Sequence, residues 1–195
     1  MMIREMEYTD LDAVVVIHKK AFSGFFLSRM GSKFLRAYYQ AVLDFEASVA
    51  LVAHETDSIL GFAVGFRDPQ GFYAMFKRQR SQMLPAIMLA VLRDPGLILK
   101  IFHNMRRVEA QAHQPVDAVE LSSIAVSTPG SGGGGALLEA FAYKARSEGA
   151  HRLILTTDAE ENDLVRRFYE TRGFILDGYE YRGKRRMCRY ARFLG

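Results

Sequence analysis

The 195-residue chain contains a single cysteine, Cys188. That excludes an intrachain disulfide and any metal site built from several cysteines, and it accords with a reducing, cytoplasmic setting. The five histidines, His18, His54, His103, His113 and His151, show no metal-ligand spacing, so no metal is expected. No hydrophobic run reaches the roughly 20 residues that a bilayer span requires. The most apolar run, Met83 to Leu92, is broken by Pro85. The opening Met1-Met2-Ile3-Arg4-Glu5 leads into a charged strand rather than the apolar segment of a signal peptide. Low-complexity tracts and internal repeats are also missing. What is present is 49% hydrophobic and 25% charged, enough to bury a good core. A single domain over residues 1–195 is expected.

The net charge of +4 is uneven. Arg182, Lys184, Arg185, Arg186, Arg189 and Arg192 crowd the C-terminal tail. Such a run reads first as a solvated face, and otherwise as a patch for an anionic cofactor or substrate. Nothing resembles a recognition helix or an aromatic-interleaved single-strand groove, so nucleic acid is not expected as a partner.

Along the chain, Ile3 to Glu7 reads as a strand, and Thr9 with Asp12 as a capping box for a helix over Leu11 to Ala21. An aromatic loop, Phe22 to Leu27, precedes a helix over Gly31 to Leu43. Ser48 to His54 and Ile59 to Phe66 pair as a hairpin. The pattern Asp68 to Pro115 predicts a helical insert, with Phe72, Met75 and Phe76 opening one amphipathic segment. Asp94-Pro95 starts another, whose inner face carries Ile98, Ile101, Phe102 and Met105 and whose polar side carries Lys100, Arg106 and Arg107. The insert packs over the sheet edge, forms a homodimer interface or lid, or lies on a membrane surface; the first is the simplest. A final hairpin joins Phe174–Tyr181 to Arg186–Phe193.

The most informative stretch runs from Val119 to Phe174. The strand Val119 to Val126 enters Gly130-Ser131-Gly132-Gly133-Gly134-Gly135, and a helix begins at once with Ala136-Leu137-Leu138. Glycines at a strand-to-helix junction bare backbone N–H groups and aim them, with the helix dipole, at an anion such as phosphate. Gly130-x-Gly132-x-x-Gly135 also matches the dinucleotide fingerprint, with Asp158 as a ribose-binding acid. Too few residues follow Asp158 to complete a doubly wound sheet, and they close as a hairpin, so this reading is secondary.

Strand, glycine loop, helix and strand, followed by Asn162-(x)6-Tyr169-(x)3-Gly173-Phe174, resemble the GNAT superfamily of acyl-CoA-dependent N-acyltransferases over nearly the whole chain. The resemblance implies an α/β (α+β) fold with a single mixed, mostly antiparallel twisted sheet flanked by helices. It also implies acetyl-CoA or another acyl-CoA as cofactor and direct acyl transfer to a primary amine in a ternary complex. The family loop begins with Gln or Arg; here Pro129 holds that position, and the loop is about two residues short. Gly132 and Gly134 fill the glycine positions. On this resemblance, Gly130, Ser131, Gly132, Gly133, Gly134 and Gly135 cradle the pyrophosphate. Backbone N–H groups of Ile124, Ala125 and Val126 face the thioester, and Asn162 caps its helix or bonds the amide arm of the cofactor.

An alkyl amine with a pKa near 10 is mostly charged at neutral pH, so the site needs a proton acceptor. Glu120 matches the catalytic glutamate of the histone-acetylating branch and reads as general base, or else as a carboxylate bonded to a neighbouring strand or arginine. The family places Tyr169 near the sulfur to protonate the departing thiolate; Phe168, its helical neighbour, would then pack into the core. Cys188 reads as structural. Phe22, Phe25, Phe26, Tyr179 and Tyr181 are candidates for stacking on an acceptor such as an amino sugar or another small amine, with Asp177 and Glu180 for a cation. A degenerate acyl-CoA sensor or dimerisation module is the alternative function.

Overall fold

The computed structural model describes residues 1–78, 117–183 and 185–195. Seven strands form one sheet in the order β1-β2-β3-β4-β5-β7-β6. They are β1 (Met2–Glu5), β2 (Ser48–Glu55), β3 (Ser58–Phe66), β4 (Ala118–Val126), β5 (Arg152–Asp158), β6 (Ile175–Arg182) and β7 (Arg185–Phe193). All neighbours are antiparallel except β4 and β5. The sheet is therefore mixed and mostly antiparallel, as expected.

Two cores sandwich it. On one face lie α1 (Leu11–Ala21), the short α2 (Phe26–Arg29), α3 (Ser32–Asp44) and α4 (Pro69–Arg78). Their Leu11, Val14, Phe34, Leu35, Tyr38 and Tyr39 bury against Val52, Phe62, Val64 and Phe66. The other face carries α5 (Gly133–Ser147) and α6 (Asp163–Glu170). There Leu137, Leu138 and Phe141 pack on Val49, Leu51, Val119 and Leu153. Each fully buried side chain of this size contributes about 1.5–3 kcal/mol. Among the described residues no helix is long and apolar enough to cross a membrane.

The start of α1 differs from expectation. A single 3-10 turn, Tyr8–Asp10, precedes it, and the backbone N–H of Glu7, not Thr9, donates to the carboxylate of Asp10 at 2.8 Å. Arg4 clamps the same carboxylate at 2.7 and 2.8 Å, which fixes the box on Asp10. Asp12 turns outward to Arg36 at 3.0 Å.

Within the insert, Phe72 is fully buried and stacks on Phe66 with ring centroids 4.1 Å apart, so this segment packs over the sheet. The Asp94-Pro95 helix start, the Ile98–Met105 stripe and its basic residues lie outside the described residues, as does Lys184. In the basic tail, Arg182 pairs with Glu180, Arg185 with Asp158, Arg189 with Asp177 and Arg192 with Glu139. Arg186 lies over the ring of Tyr179. These arginines are mostly spent on ion pairs inside the molecule.

Candidate functional site

The sheet opens at its centre. β4 and β5 pair only from Ala118↔Arg152 to Glu120↔Ile154. Beyond that point β4 follows β3 as far as Val126↔Gly61, while β5 follows β7 as far as Asp158↔Met187. A gap is left between Leu121–Val126 and Leu155–Asp158. A bulge begins it: Val64 faces Ser123 but Gly65 faces Leu121, so Ser122 is an extra residue on β4. Both adjoining serines then lie close to α3, Ser122 near enough to Tyr38 and Ser123 near enough to Tyr39 to act on their ionisation.

Alternation along β4 decides which backbone groups face the gap. The N–H of Ser127 donates to Leu60 on β3 at 2.8 Å. Ala125 shares that edge: its carbonyl oxygen would stand 2.7 Å from a methyl at Gly61. Ile124 and Val126 therefore direct their N–H groups away from β3, toward the gap. Of the three candidate residues, Ala125 is turned to its neighbour strand instead.

The glycine loop follows directly. Gly130 and Gly132 are both left-handed at φ +83°, a conformation that suits glycine, and Ser131 Oγ donates to the carbonyl of Thr128 at 2.9 Å. The first N–H that returns to the loop from α5 is that of Ala136, to Gly132 at 3.2 Å. The N–H groups of Gly133, Gly134 and Gly135 are thus orphan donors at the positive end of a 15-residue helix. Two cations flank this end, neither suggested by sequence patterns. Lys20 Nζ donates to the carbonyl of Ser127 at 3.3 Å, and the Arg172 guanidinium lies against Gly135.

Glu120 is half-buried at the pivot of the gap. It lies opposite Phe66 in an antiparallel pair and so shares the face of α1 and α3, close enough to Tyr38 to act on its ionisation. Tyr169 lies in the other core, 7% exposed. Burial holds its phenol well above the usual range, and among the described residues its hydroxyl makes no hydrogen bond. Tyr169 is the more buried of the two neighbours, while Phe168, partly buried against the same core, lies 3.7 Å from a methyl position at Gly134. Asn162 occupies the N-cap position of α6, yet its side chain makes no cap bond. Its amide donates instead to Thr157 Oγ1 at 2.7 Å and to the Asp158 carbonyl at 3.0 Å, fastening the free end of β5. Cys188 is fully buried.

The aromatic acceptor candidates divide. Phe22 and Phe26 pack partly into the α1–α3 core, and the exposed Phe25 lies under Arg185 at 5.1 Å. Tyr179 is opposite Cys188 on β7, which belongs to the other core. Tyr179, and Tyr181 two residues on, therefore lie on the far face and do not join Phe22, Phe25 and Phe26. Side-chain alternation along a strand with an extra residue at Asp177 produces this, and the sequence pattern does not reveal such a bulge. Asp158, Glu180, Arg182 and Arg185 are among the polar groups on the face of Phe25. Asp177, at the bulge, is 3.5 Å from Arg189.

The model of the acetyltransferase (GNAT) family matches residues 98–174. Among solved structures, an assigned GNAT-family acetyltransferase from Desulfovibrio desulfuricans is 17% identical with a TM-score of 0.65, over 100% of this chain and 99% of that one. The ribosomal-protein-alanine N-acetyltransferase of Brucella melitensis is 18% identical with a TM-score of 0.63, covering 99% of each chain. An assigned acetyltransferase from Salmonella typhimurium, solved with its cofactor acetyl-CoA, is 16% identical with a TM-score of 0.63, over 100% of this chain and 94% of that one. At these identities the likeness is one of fold. The comparison with curated protein sequences gives no match.

Proposed function

We propose that this chain is a GNAT acyltransferase, an acyl-CoA-dependent enzyme that acts on a primary amine of a small molecule within one domain over residues 1–195. One observation carries the reading. The β4–β5 gap ends at a helix N-terminus with three orphan N–H donors, so a single extended ligand with a phosphate at one end fits along it. Those donors, the edge N–H groups of Ile124 and Val126, and Asn162 beside the gap suit acetyl-CoA. A polar, glycine-lined slot with few side chains matches a phosphate and an amide arm.

When bound, acetyl-CoA supplies an acyl group activated as a thioester. Glu120 takes a proton from the acceptor ammonium or amine, which leaves the nitrogen lone pair free to form the C–N bond. The N–H groups of Ile124 and Val126 donate to the carbonyl oxygen as charge builds there. The Tyr169 hydroxyl, kept protonated by burial, would be the proton donor for the leaving thiolate, its proton replaced by one that the amine nitrogen loses on forming the C–N bond. Phe25, with the Asp158–Arg185 and Glu180–Arg182 ion pairs on its face of the sheet, offers a mouth that is part apolar and part polar for the acceptor, an amino sugar among them.

The test is CoA release over a panel of primary amines, followed with a thiol reagent. Turnover with at least one amine, lost in Glu120→Gln, supports the assignment. Acetyl-CoA binding without turnover on any amine would favour the sensor reading.

A further inference from the structure

The two edges of the sheet are built differently. β1 spans four residues, and its last, Glu5, is held by Lys144 at 2.6 Å, so this edge is short and charged. β6 spans eight residues and, among the described residues, has a neighbouring strand on one side only. Ile175, Leu176, Tyr179 and Tyr181 are exposed along it, Ile175 at 68% and Tyr181 at 73%. A long edge strand with apolar side chains and open backbone groups is a template for another strand.

Pairing on β7 decides which backbone groups are open. The N–H of Ala159 donates to the carbonyl of Arg186 at 3.0 Å, so Arg186 turns its backbone to the β5 side. Its partner on β6, Tyr181, then points its own N–H and C=O away from β7, and Tyr179 two residues back does the same. The register shift of β6 lies before Gly178 and leaves this alternation intact.

The charges beside the edge are self-complementary in one register. Arg189 of β7 reaches across β6: a methyl group on Gly178 would lie 3.2 Å from its Nη2, and its ion pair with the exposed Asp177 is loose at 3.5 Å. When two β6 strands pair antiparallel with Tyr179 opposite Tyr179, Gly178 of each stands opposite Glu180 of the other, on the same face. The bare glycine then delivers the Arg189 guanidinium to that carboxylate. Sliding by two residues one way sets Glu180 against Glu180. Sliding the other way sets Gly178 against Gly178 and brings the two Arg189 side chains together. Both slips oppose like charges.

We propose that the β6 edge binds a second copy of this chain, as a two-fold antiparallel pair centred on Tyr179 and held by two Arg189–Glu180 ion pairs between the copies. The sheet continues from one copy into the other.

Sedimentation equilibrium of the full chain tests this. The wild type is expected to be a dimer at micromolar concentration. Arg189→Glu sets like charges at both ion pairs, as does Glu180→Arg, and each is expected to weaken the dimer by about 10- to 100-fold. An equimolar mixture of the two variants restores opposite charges at both contacts, so it should dimerise where neither does alone. A second measurement does not depend on the charge variants. Tyr179→Cys, on the two-fold axis at the spacing a disulfide spans, should cross-link to its own copy on mild oxidation, whereas Tyr181→Cys should not. A monomeric wild type overturns the proposal. So does a wild-type dimer that both charge variants leave intact, or one that cross-links through Tyr181→Cys and not through Tyr179→Cys.

Discussion

Glu120 and Tyr169 stand on opposite faces of the sheet, one beside the α1–α3 core and the other in the α5–α6 core. A ligand that meets both must therefore lie in the gap where β4 leaves β5. Glu120→Gln and Tyr169→Phe are each expected to lower kcat by about 100-fold, the low end of general acid–base catalysis. Acetyl-CoA affinity should hardly change in either. Steady-state kinetics beside calorimetry checks this, and unchanged turnover in both variants would remove the proposed chemistry.

The gap depends on a glycine in β3. A methyl group at Gly65 would meet the Glu120 carbonyl oxygen at 2.1 Å and Phe141 Cζ at 2.5 Å. Neither a backbone oxygen nor a fully buried ring yields cheaply. Gly65→Ala is expected to destabilise the fold by about 3 kcal/mol, at the upper end of overpacking. Urea denaturation measures it; a change of less than about 0.5 kcal/mol would show that β4 relaxes freely.

His18 gives a pH signature. Its Nδ1 lies 2.7 Å from the Tyr39 hydroxyl, Nε2 is buried without a partner, and burial pushes its pKa down to about 4 from 6.5. Between those values the unfolded chain binds a proton that the folded chain refuses. Stability is therefore full above pH 6.5 and falls as pH drops toward 4, by up to roughly 3 kcal/mol. His18→Gln keeps an acceptor for Tyr39 and cannot titrate. Comparing urea midpoints at pH 7 and pH 5 should show a smaller drop in the variant than in the wild type.

The division of the aromatics is also testable. Phe25, under Arg185 beside Asp158, shares the face of Glu120, whereas Tyr181 lies on the far face. Phe25→Ala is expected to raise the acceptor KM several-fold, and Tyr181→Ala to leave it within a factor of about two. The reverse pattern would move the acceptor to the α6 side.

The strands, the flanking helices and the glycine loop were legible because each rests on local signals: alternation, helical spacing and glycines before Leu137-Leu138. The β4 bulge was not legible. Ser122-Ser123 looks like ordinary strand sequence, and only the pairing of Gly65 with Leu121 shows the extra residue. The role of Asn162 was half legible, since its position begins α6 while its side chain serves β5. Lys20 and Arg172 escaped notice because their closeness to the loop is tertiary: one reaches it from α1 and the other from beyond α6. The tail arginines read first as a solvated face because two of their carboxylate partners, Asp158 and Glu139, are distant in sequence.

The most direct measurement is calorimetric titration of the wild-type protein with acetyl-CoA, with NAD as comparison. One-site binding below millimolar dissociation constant, with no response to NAD, is the predicted result. NAD binding without acetyl-CoA binding, or silence toward both, would contradict the assignment of the β4–β5 gap and glycine loop to an acyl-CoA.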